Sequence, residues 1–383
     1  MTAARSALKQ MGPSRTTTQE QIRYLLEISG RFQTITELAL SAKYVTSDWF
    51  DKDVDRRLAT FFINRCESLD SDLFAWGHTY QFEKPVPFSP QPRKHSKIST
   101  KPLPLANSDG GYEESWSVRQ LEADPDLEEL EVPETLVVQT ARRNIMAWLE
   151  ETYRDSRGLE LGTFDGSLLQ MTMKHQCQKW RAIAYGFILD VITNTHTFIK
   201  DLLVEICPDS LTRASIQAEL TDGILKRYKR AIEIVEFLLE TEIAGTPLTV
   251  NRHFNRHLQD SRDERTRTGF LPKDCDELDF ETAERSRKLS NATHTVQEMH
   301  DILESYYEIA RKRFADSLCK QAADFHLVTG PDTPLKLFSS SFVSSLPIEK
   351  LDEICCEDAT AQRKRLDLMS KIRILEEAKR ILA

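Results

Sequence analysis

From Trp180 to Leu239 the chain repeats one pattern twice. Trp180, Ile183, Ala184, Phe187, Ile188, Val191, Thr195, Phe198, Ile199, Leu202 and Ile206 recur every three or four residues. Pro208-Asp209-Ser210 then turns the chain, and Ile216, Leu220, Ile224, Tyr228, Ala231, Val235, Leu238 and Leu239 follow at the same spacing. Apolar residues so spaced share one face of an α-helix. Two such helices joined by a short turn return along one another as an αα-hairpin. If Ser167 to Ile206 is one helix, it is about 60 Å long at roughly 1.5 Å per residue.

The same spacing recurs elsewhere. Ile22, Leu25, Leu26, Phe32, Ile35 and Ala39 form one run, with Thr18 as its N-cap and Gln21 as the capping-box partner. Val54, Leu58, Phe61, Phe62, Leu69 and Leu73 form a second. Helical pattern resumes at Pro133 and carries Val137, Ile145, Trp148 and Leu149. A further helix, roughly Ala283 to Val328, carries Val296, Met299, Leu303, Tyr306, Ala310 and Phe314, and Gly330-Pro331 and Pro334 end it. A terminal helix starts near Thr360. Residues 2–11 read as the end of a helix stopped by Gly12-Pro13.

Long helices with short turns bury their apolar stripes only by lying side by side. The expected fold is therefore all-α, an elongated helical bundle. Only 13 glycines occur among 383 residues, which argues against a turn-rich β fold or a dinucleotide-binding domain.

Three segments interrupt the pattern. Six prolines fall between Pro85 and Pro104, basic residues cluster at Arg93–Lys101, and acids fill Glu122–Glu131. Low apolar content and segregated charge predict a disordered insertion over 81–131. Arg157–Gly166 reads as a loop. Residues 259–282 are polar and read as a flexible loop.

The net charge of −9 does not favour nonspecific nucleic-acid binding. No apolar run approaches the roughly 18 residues needed to span a bilayer. The seven cysteines show no C-x-x-C spacing, and no secretory leader is evident, so they read as reduced cytosolic thiols. The vicinal pair Cys355-Cys356 reads as helix filler, with oxidation or a soft metal as the sharper alternative. His253 and His257 lie four apart, the spacing of a helical zinc pair, but no Glu follows His253, so two polar helix residues is the plainer reading. No cysteine is matched to a histidine and an acid as a thiol hydrolase requires. Asn291-Ala292-Thr293 matches a glycosylation acceptor that a cytosolic chain would not use. No G-x-x-x-x-G-K-[ST] run occurs in the sequence, so no phosphate-cradling loop is present for nucleotide hydrolysis.

Four stretches together resemble dynamin-type large GTPases, especially the Mx-like proteins of fungi. The first is the last third, with the helix Val296–Val328, the break Gly330-Pro331-Asp332-Thr333-Pro334 and the basic helix Arg363–Leu382. The second is Met1–Phe32, similar to the junction where a helix leaves the GTPase domain for the stalk. The third is Arg157-Gly158-Leu159-Glu160-Leu161-Gly162-Thr163-Phe164, similar to an R-G-R-E-L-P-G-x-F loop. The fourth is Pro247–Phe254. The resemblance covers nearly the whole chain except 81–131.

It implies an elongated antiparallel four-helix stalk, with a partial bundle signalling element formed by the two termini. The implied divisions are a signalling helix at 1–12, a middle region at 13–80 and 132–258, the insertion at 81–131, the loop at 259–282 and a GTPase effector domain at 283–383. The resemblance places assembly contacts on Arg157, Gly158, Leu159, Glu160, Gly162 and Phe164. Leu159 stands where the family has arginine, and the loop proline is missing, so a charge-assisted contact through that position is not available. A lipid- or partner-binding insert is implied at Arg262, Arg265, Arg267 and Lys273; Arg252–Lys273 holds six Lys/Arg against three acids. In the terminal helix, seven Lys/Arg stand against three acids from Arg363 to Arg380. Its stripe of Leu368, Ile372, Leu375 and Leu382 is expected to dock on another helix, with membrane contact as the alternative.

The functional expectation is a stalk and effector protein that associates with itself or with a full-length dynamin-like GTPase, linked to membrane remodelling. It has no GTPase activity and no cofactor of its own, GTP and Mg²⁺ belonging to a domain not present. Weak contact with anionic membranes is allowed and nucleic acid is not a partner. The expected location is cytoplasmic, peripheral to membranes at most. One alternative is a truncated form of a complete dynamin-like GTPase. Another is an unrelated helical scaffold binding partners through 81–131.

Overall fold

The computed structural model describes Ser6 and residues 15–82, 105–106, 112–113, 115–117, 125–130, 137–139, 144–156, 164–270, 291–355 and 359–381. Helix dominates the described residues. The α-helices are α1 (Thr18–Leu40), α2 (Leu58–Trp76), α3 (Ile145–Ser156), α4 (Gly166–Gln176), α5 (Trp180–Ile206), α6 (Ser210–Leu239), α7 (Arg252–Phe270) and α8 (Asn291–Ser317). The short helices α9 (Pro334–Leu337), α10 (Ser340–Ser345) and α11 (Ile348–Cys355) follow, and then α12 (Ala359–Ile381). Beyond Ser317, α8 continues as a π-helix over Leu318–Val328. The chain divides into two compact units.

The first unit holds residues 1–60, 194–228 and 327–383. The cap of its α1 is Thr17, one residue before the expected Thr18. The Thr17 hydroxyl accepts from the Glu20 N–H, and the Glu20 carboxylate reaches back to the Thr17 N–H at 3.2 Å. Thr17-x-x-Glu20 wins over Thr18-x-x-Gln21 because a carboxylate is the stronger acceptor and suits the positive end of the helix. α1 packs on α9, α10 and α11. Phe32 meets Phe338 edge-on with centroids 5.7 Å apart. The Gln33 amide donates to the carbonyls of Leu335 (3.1 Å) and Phe338 (2.8 Å). Gln21 donates to Asp352 at 2.8 Å. Val54, expected to open the second helix, sits exposed in a 3₁₀ turn, and α2 begins at Leu58. Asp209 anchors the α5–α6 turn: it caps Leu211 N–H at 3.2 Å and pairs with Arg15 at 2.7 Å.

The second unit holds residues 61–193 and 229–326. The expected single helix from Ser167 to Ile206 is two helices, broken at Cys177–Lys179. The cause is a rival donor. Thr79 gives its N–H to the Gln176 carbonyl at 3.1 Å and its hydroxyl to the His175 carbonyl at 2.7 Å. Gln176 is fully buried, and its side-chain amide exchanges two bonds with the Tyr80 backbone at 3.0 and 2.7 Å. With Gln176 O taken, Trp180 N–H turns to the Cys177 carbonyl instead.

The return of α6 along α5 is seen within each unit. In the first, the Tyr228 ring lies edge-on to His196 with centroids 6.0 Å apart. In the second, Arg181 pairs with Glu236 at 2.6 Å and the Tyr185 hydroxyl donates to the same carboxylate.

The Pro133 region differs from expectation. Val137–Gln139 forms a strand antiparallel to Ser115–Ser117, and Leu105–Ala106 pairs with Tyr112–Glu113. Adjacent β-branched Val137 and Val138 favour the extended form over the predicted helix, which begins only at Ile145. Within the stretch expected to be disordered, Leu127 and Leu130 are buried and Glu129 pairs with Lys229 at 3.1 Å. Residues 83–104 lie outside the described part, as do residues 1–5 and 7–14.

Gly77 ends α2 where three elements converge. A Cβ there would lie 2.4 Å from the Leu73 carbonyl and 3.1 Å from both Trp180 Nε1 and the Tyr307 hydroxyl. Those two atoms are themselves hydrogen-bonded at 3.1 Å. Gly77→Ala is therefore expected to cost about 1–3 kcal/mol by overpacking. A lower urea midpoint with unchanged slope is the expected readout; an unchanged midpoint would show that this close approach relaxes freely.

Candidate functional site

The most elaborate constellation in the second unit surrounds the connection between α6 and α7. A π-turn at Glu240–Ala244 ends α6, and the extended Gly245 leads into an irregular strip, Thr246–Asn251. Among the described residues the strip has no sheet partner, and side chains satisfy several of its backbone groups and those just before it. Gln170 donates to the carbonyls of Ala244 (3.1 Å) and Gly245 (3.3 Å). The Tyr306 hydroxyl accepts the Leu248 N–H at 3.1 Å, and Arg313 donates to the Leu248 carbonyl at 3.2 Å. Arg313 also grips Glu242 with two bonds of 2.7 Å, and this pairing raises its pKa further above the usual range. The strip is thus held by its backbone, leaving Leu248 72% and Val250 95% exposed.

Beside it lies an open cavity of about 790 Å³. α7 lines it with His253, Arg256 and His257; α8 adds Glu308, Lys312 and Asp316. The two histidines share this cavity, as their spacing predicts. The His257 Nδ1 is 3.4 Å from the Ser305 hydroxyl. Among the described residues no group of three or more His, Cys, Asp or Glu is placed to hold a metal ion. Lys312 pairs with Glu308 at 2.8 Å. The lining is a mixed-charge surface suited to polar or charged groups of a partner.

Burial works to raise the Glu308 carboxyl, but the Lys312 hydrogen bond and the Arg311 charge outweigh it and hold it below the usual range. Asp209 behaves alike: burial raises it, while Arg15 and Thr212 pull it lower still. A carboxylate depressed on folding stabilises fully above its unfolded pKa. That contribution is lost as pH falls through the lower folded value. Stability is therefore expected to decline with acid below the ordinary values of 4.5 for Glu308 and 3.8 for Asp209. Glu308→Gln should flatten the upper part of that decline in pH-dependent urea titrations; an unchanged slope would remove Glu308 from the account.

The residues marked out from sequence separate on the structure. Of the assembly-loop candidates, Arg157, Gly158, Leu159, Glu160 and Gly162 lie outside the described residues. Phe164 is half-buried just ahead of α4, which Asp165 caps. The flexible loop expected over 259–282 is instead helical as far as Phe270. Arg262, read as a lipid or partner contact, pairs with Glu298 on α8 at 2.7 Å. Arg265 and Arg267 lie on the same helix, and Lys273 lies outside the described residues. On α12, Arg365 is buried, Leu368 and Ile372 are half-buried one and two turns on, and Leu375 is 41% exposed. Leu366, Met369 and Ile374 are exposed as well, so the covered stripe is narrower than the apolar one. Leu382, residues 2–5 and 7–11, and Cys356 are outside the described part; Cys355 is fully buried. No helix of the described residues is long and apolar enough to cross a membrane.

Sequence reasoning missed the Tyr306–Arg313 clamp. A signal existed: the two residues are seven apart and so share one face of α8. Nothing local says that this face meets Glu242 and Leu248.

Neither the curated proteins nor the solved structures include a match to this chain. Residues 291–383 match the family model of the dynamin GTPase effector domain. The matched segment supplies α8 to one unit, where it packs on α3, α4 and α7, and α9 to α11 to the other, where they pack on α1. Over those residues the chain is similar to dynamin effector domains, and this supports a dynamin-family relationship.

Proposed function

We propose that this chain is a stalk and effector module of dynamin type, which associates with itself or with a dynamin-type GTPase and does not hydrolyse GTP. The observation that carries the reading is the effector-domain match over 291–383, in a segment packed with the residues preceding it in each unit. An effector segment folded into such units is built for docking. The exposed apolar residues Leu366, Met369, Ile374 and Leu375 on α12 supply surface for a partner. Exposed Leu248 and Val250, held on a fastened strip, supply a second. The lack of a P-loop run in the sequence supports the non-catalytic part, because phosphoryl transfer needs an amide cradle, its lysine and a metal-binding hydroxyl.

The test uses a dynamin-type GTPase with an intact P-loop. The chain alone is expected to give no heat with GTP in calorimetry, while adding it to the GTPase changes that enzyme's turnover. Micromolar GTP binding by the chain would refute the non-catalytic part. Turnover unaffected at every ratio, with no complex formed, would refute the association.

A further inference from the structure

Residues 125–130 bring the acidic end of the insertion onto the second unit. Pro125–Leu127 is a 3₁₀ turn whose backbone bonds close on themselves. Glu128 N–H donates to the Pro125 carbonyl at 3.4 Å and Leu130 N–H to the Leu127 carbonyl at 3.0 Å. Leu127 and Leu130, three apart, are 4% and 6% exposed, while Glu128 and Glu129 stay exposed. So short a turn has no core of its own, and its two leucines need cover from outside it. Glu129 fixes α6 as the surface beside it, accepting from Lys229 at 3.1 Å. Ile232, one turn on from Lys229 along the same face of α6, is half-buried.

The insertion leaves and re-enters the unit at one place. Gln81 and Asn144 form a parallel bridge, and Ile145 N–H donates to the Gln81 carbonyl at 3.4 Å. Just before the bridge, Tyr80 stacks on Trp148 with centroids 4.7 Å apart, and Trp148 stacks on His175 at 4.9 Å. Gln176 holds both backbone groups of Tyr80. Just after it, the Phe82 ring lies 5.3 Å from that of Tyr307. With both ends fixed at this neck, the turn can change its seat without moving a helix. Fourteen positions separate Leu130 from Asn144, up to about 50 Å of chain at roughly 3.5 Å per residue.

We propose that the 125–130 turn is exchanged between two copies of this chain, Leu127, Glu129 and Leu130 of each docking at Lys229 on α6 of the other. Every copy carries both halves of the contact. Reciprocal exchange therefore keeps each contact that the single chain makes and closes with two-fold symmetry. Charge selects the occupant, since the acidic turn meets a lysine. The Lys229 and Glu129 side chains are 49% and 69% exposed, so the pair separates and re-forms at little cost. Within one chain the tether keeps the turn close to α6, so exchange is favoured only at high protein concentration. The exchange deepens the self-association part of the proposed function and rests on it.

Equal amounts of unlabelled and nitrogen-15-labelled full chain are incubated together at graded concentrations. A carbodiimide then joins carboxylates to amines in direct contact. Monomer and dimer fractions are separated and digested for mass spectrometry. In the dimer fraction about half of the Glu129–Lys229 links should join a light peptide to a heavy one, the share that random pairing gives a two-fold exchange. In the monomer fraction every such link should carry one label. Leu127→Asp with Leu130→Asp should lower the dimer fraction several-fold and remove the mixed links. Single-label links alone, in a chain that light scattering shows to self-associate, would overturn the exchange and leave self-association standing. A single-chain mass at every concentration would overturn both. The labels in the unsubstituted chain decide the matter even if the double variant folds poorly.

Discussion

Ending the chain after residue 290 is expected to abolish cooperative folding. The deletion removes Met299, Leu303, Ala310, Phe314 and Leu318 from the second unit, each 0% exposed. From the first unit it removes Leu335, Phe338, Val343, Leu351 and Ile354, all buried. Burying a large apolar side chain contributes about 1.5–3 kcal/mol. The nine larger of these, Ala310 apart, match or exceed the roughly 5–15 kcal/mol net stability of a typical domain. Trp180 would also lose the Phe314 ring stacked at 4.9 Å and the Tyr307 hydroxyl bonded to its Nε1. Circular dichroism of residues 1–290 should show reduced helix and no sharp melting transition. A cooperative transition in that fragment would mean that the effector segment is an appendage to a fold complete without it.

Ile188→Asp is expected to cost about 4–5 kcal/mol, at the upper end for a single substitution. Ile188 is 0% exposed in α5, and a carboxylate there must either stay charged without solvent or take up a proton. Its neighbour offers a control. Phe187 is equally buried, but the Arg65 guanidinium lies 5.4 Å from its ring. Phe187→Asp would place its charge near that cation and lose less to desolvation, although Arg65 is already paired with Asp190 at 2.7 Å. Thermal or urea unfolding should therefore rank Ile188→Asp below Phe187→Asp. Equal midpoints would show that Arg65 gives no relief, and a wild-type melt for Ile188→Asp would take α5 out of the core.

What the sequence shows well is periodicity. The faces of α5, α6 and α8 follow from apolar spacing, and residues such as Phe187, Tyr228 and Phe314 are buried where that spacing puts them. What it shows poorly depends on distant partners. The break between α4 and α5 comes from Thr79, about a hundred residues earlier, taking carbonyls that the helix would have used. α7 carries no clear apolar stripe because it is mostly polar, so periodicity is silent. It is supported by charge pairs such as Arg262–Glu298 and by Gln259 bonding Asp263 one turn on. The start of α1 was ambiguous within Thr16-Thr17-Thr18, where two overlapping capping patterns compete. The clamp on Leu248 is long-range, as Tyr306 and Arg313 reach it across 58 and 65 positions.

The same division applies to function. The effector segment is legible in its order of helix, Gly-Pro break and basic terminal helix, and the family match covers it. The docking surfaces are not, because exposure of Val250 or Ile374 depends on the finished packing.

Light scattering at graded concentrations, on the purified chain alone and mixed with a dynamin-type GTPase, tests the association claim most directly. The expected result is a mass above that of one chain, rising with concentration, or a stable mixed complex with the GTPase. Leu366→Glu with Ile374→Glu, both exposed on α12, is expected to lower that mass without changing the helical signal. A single-chain mass at all concentrations, with no mixed complex, would contradict it.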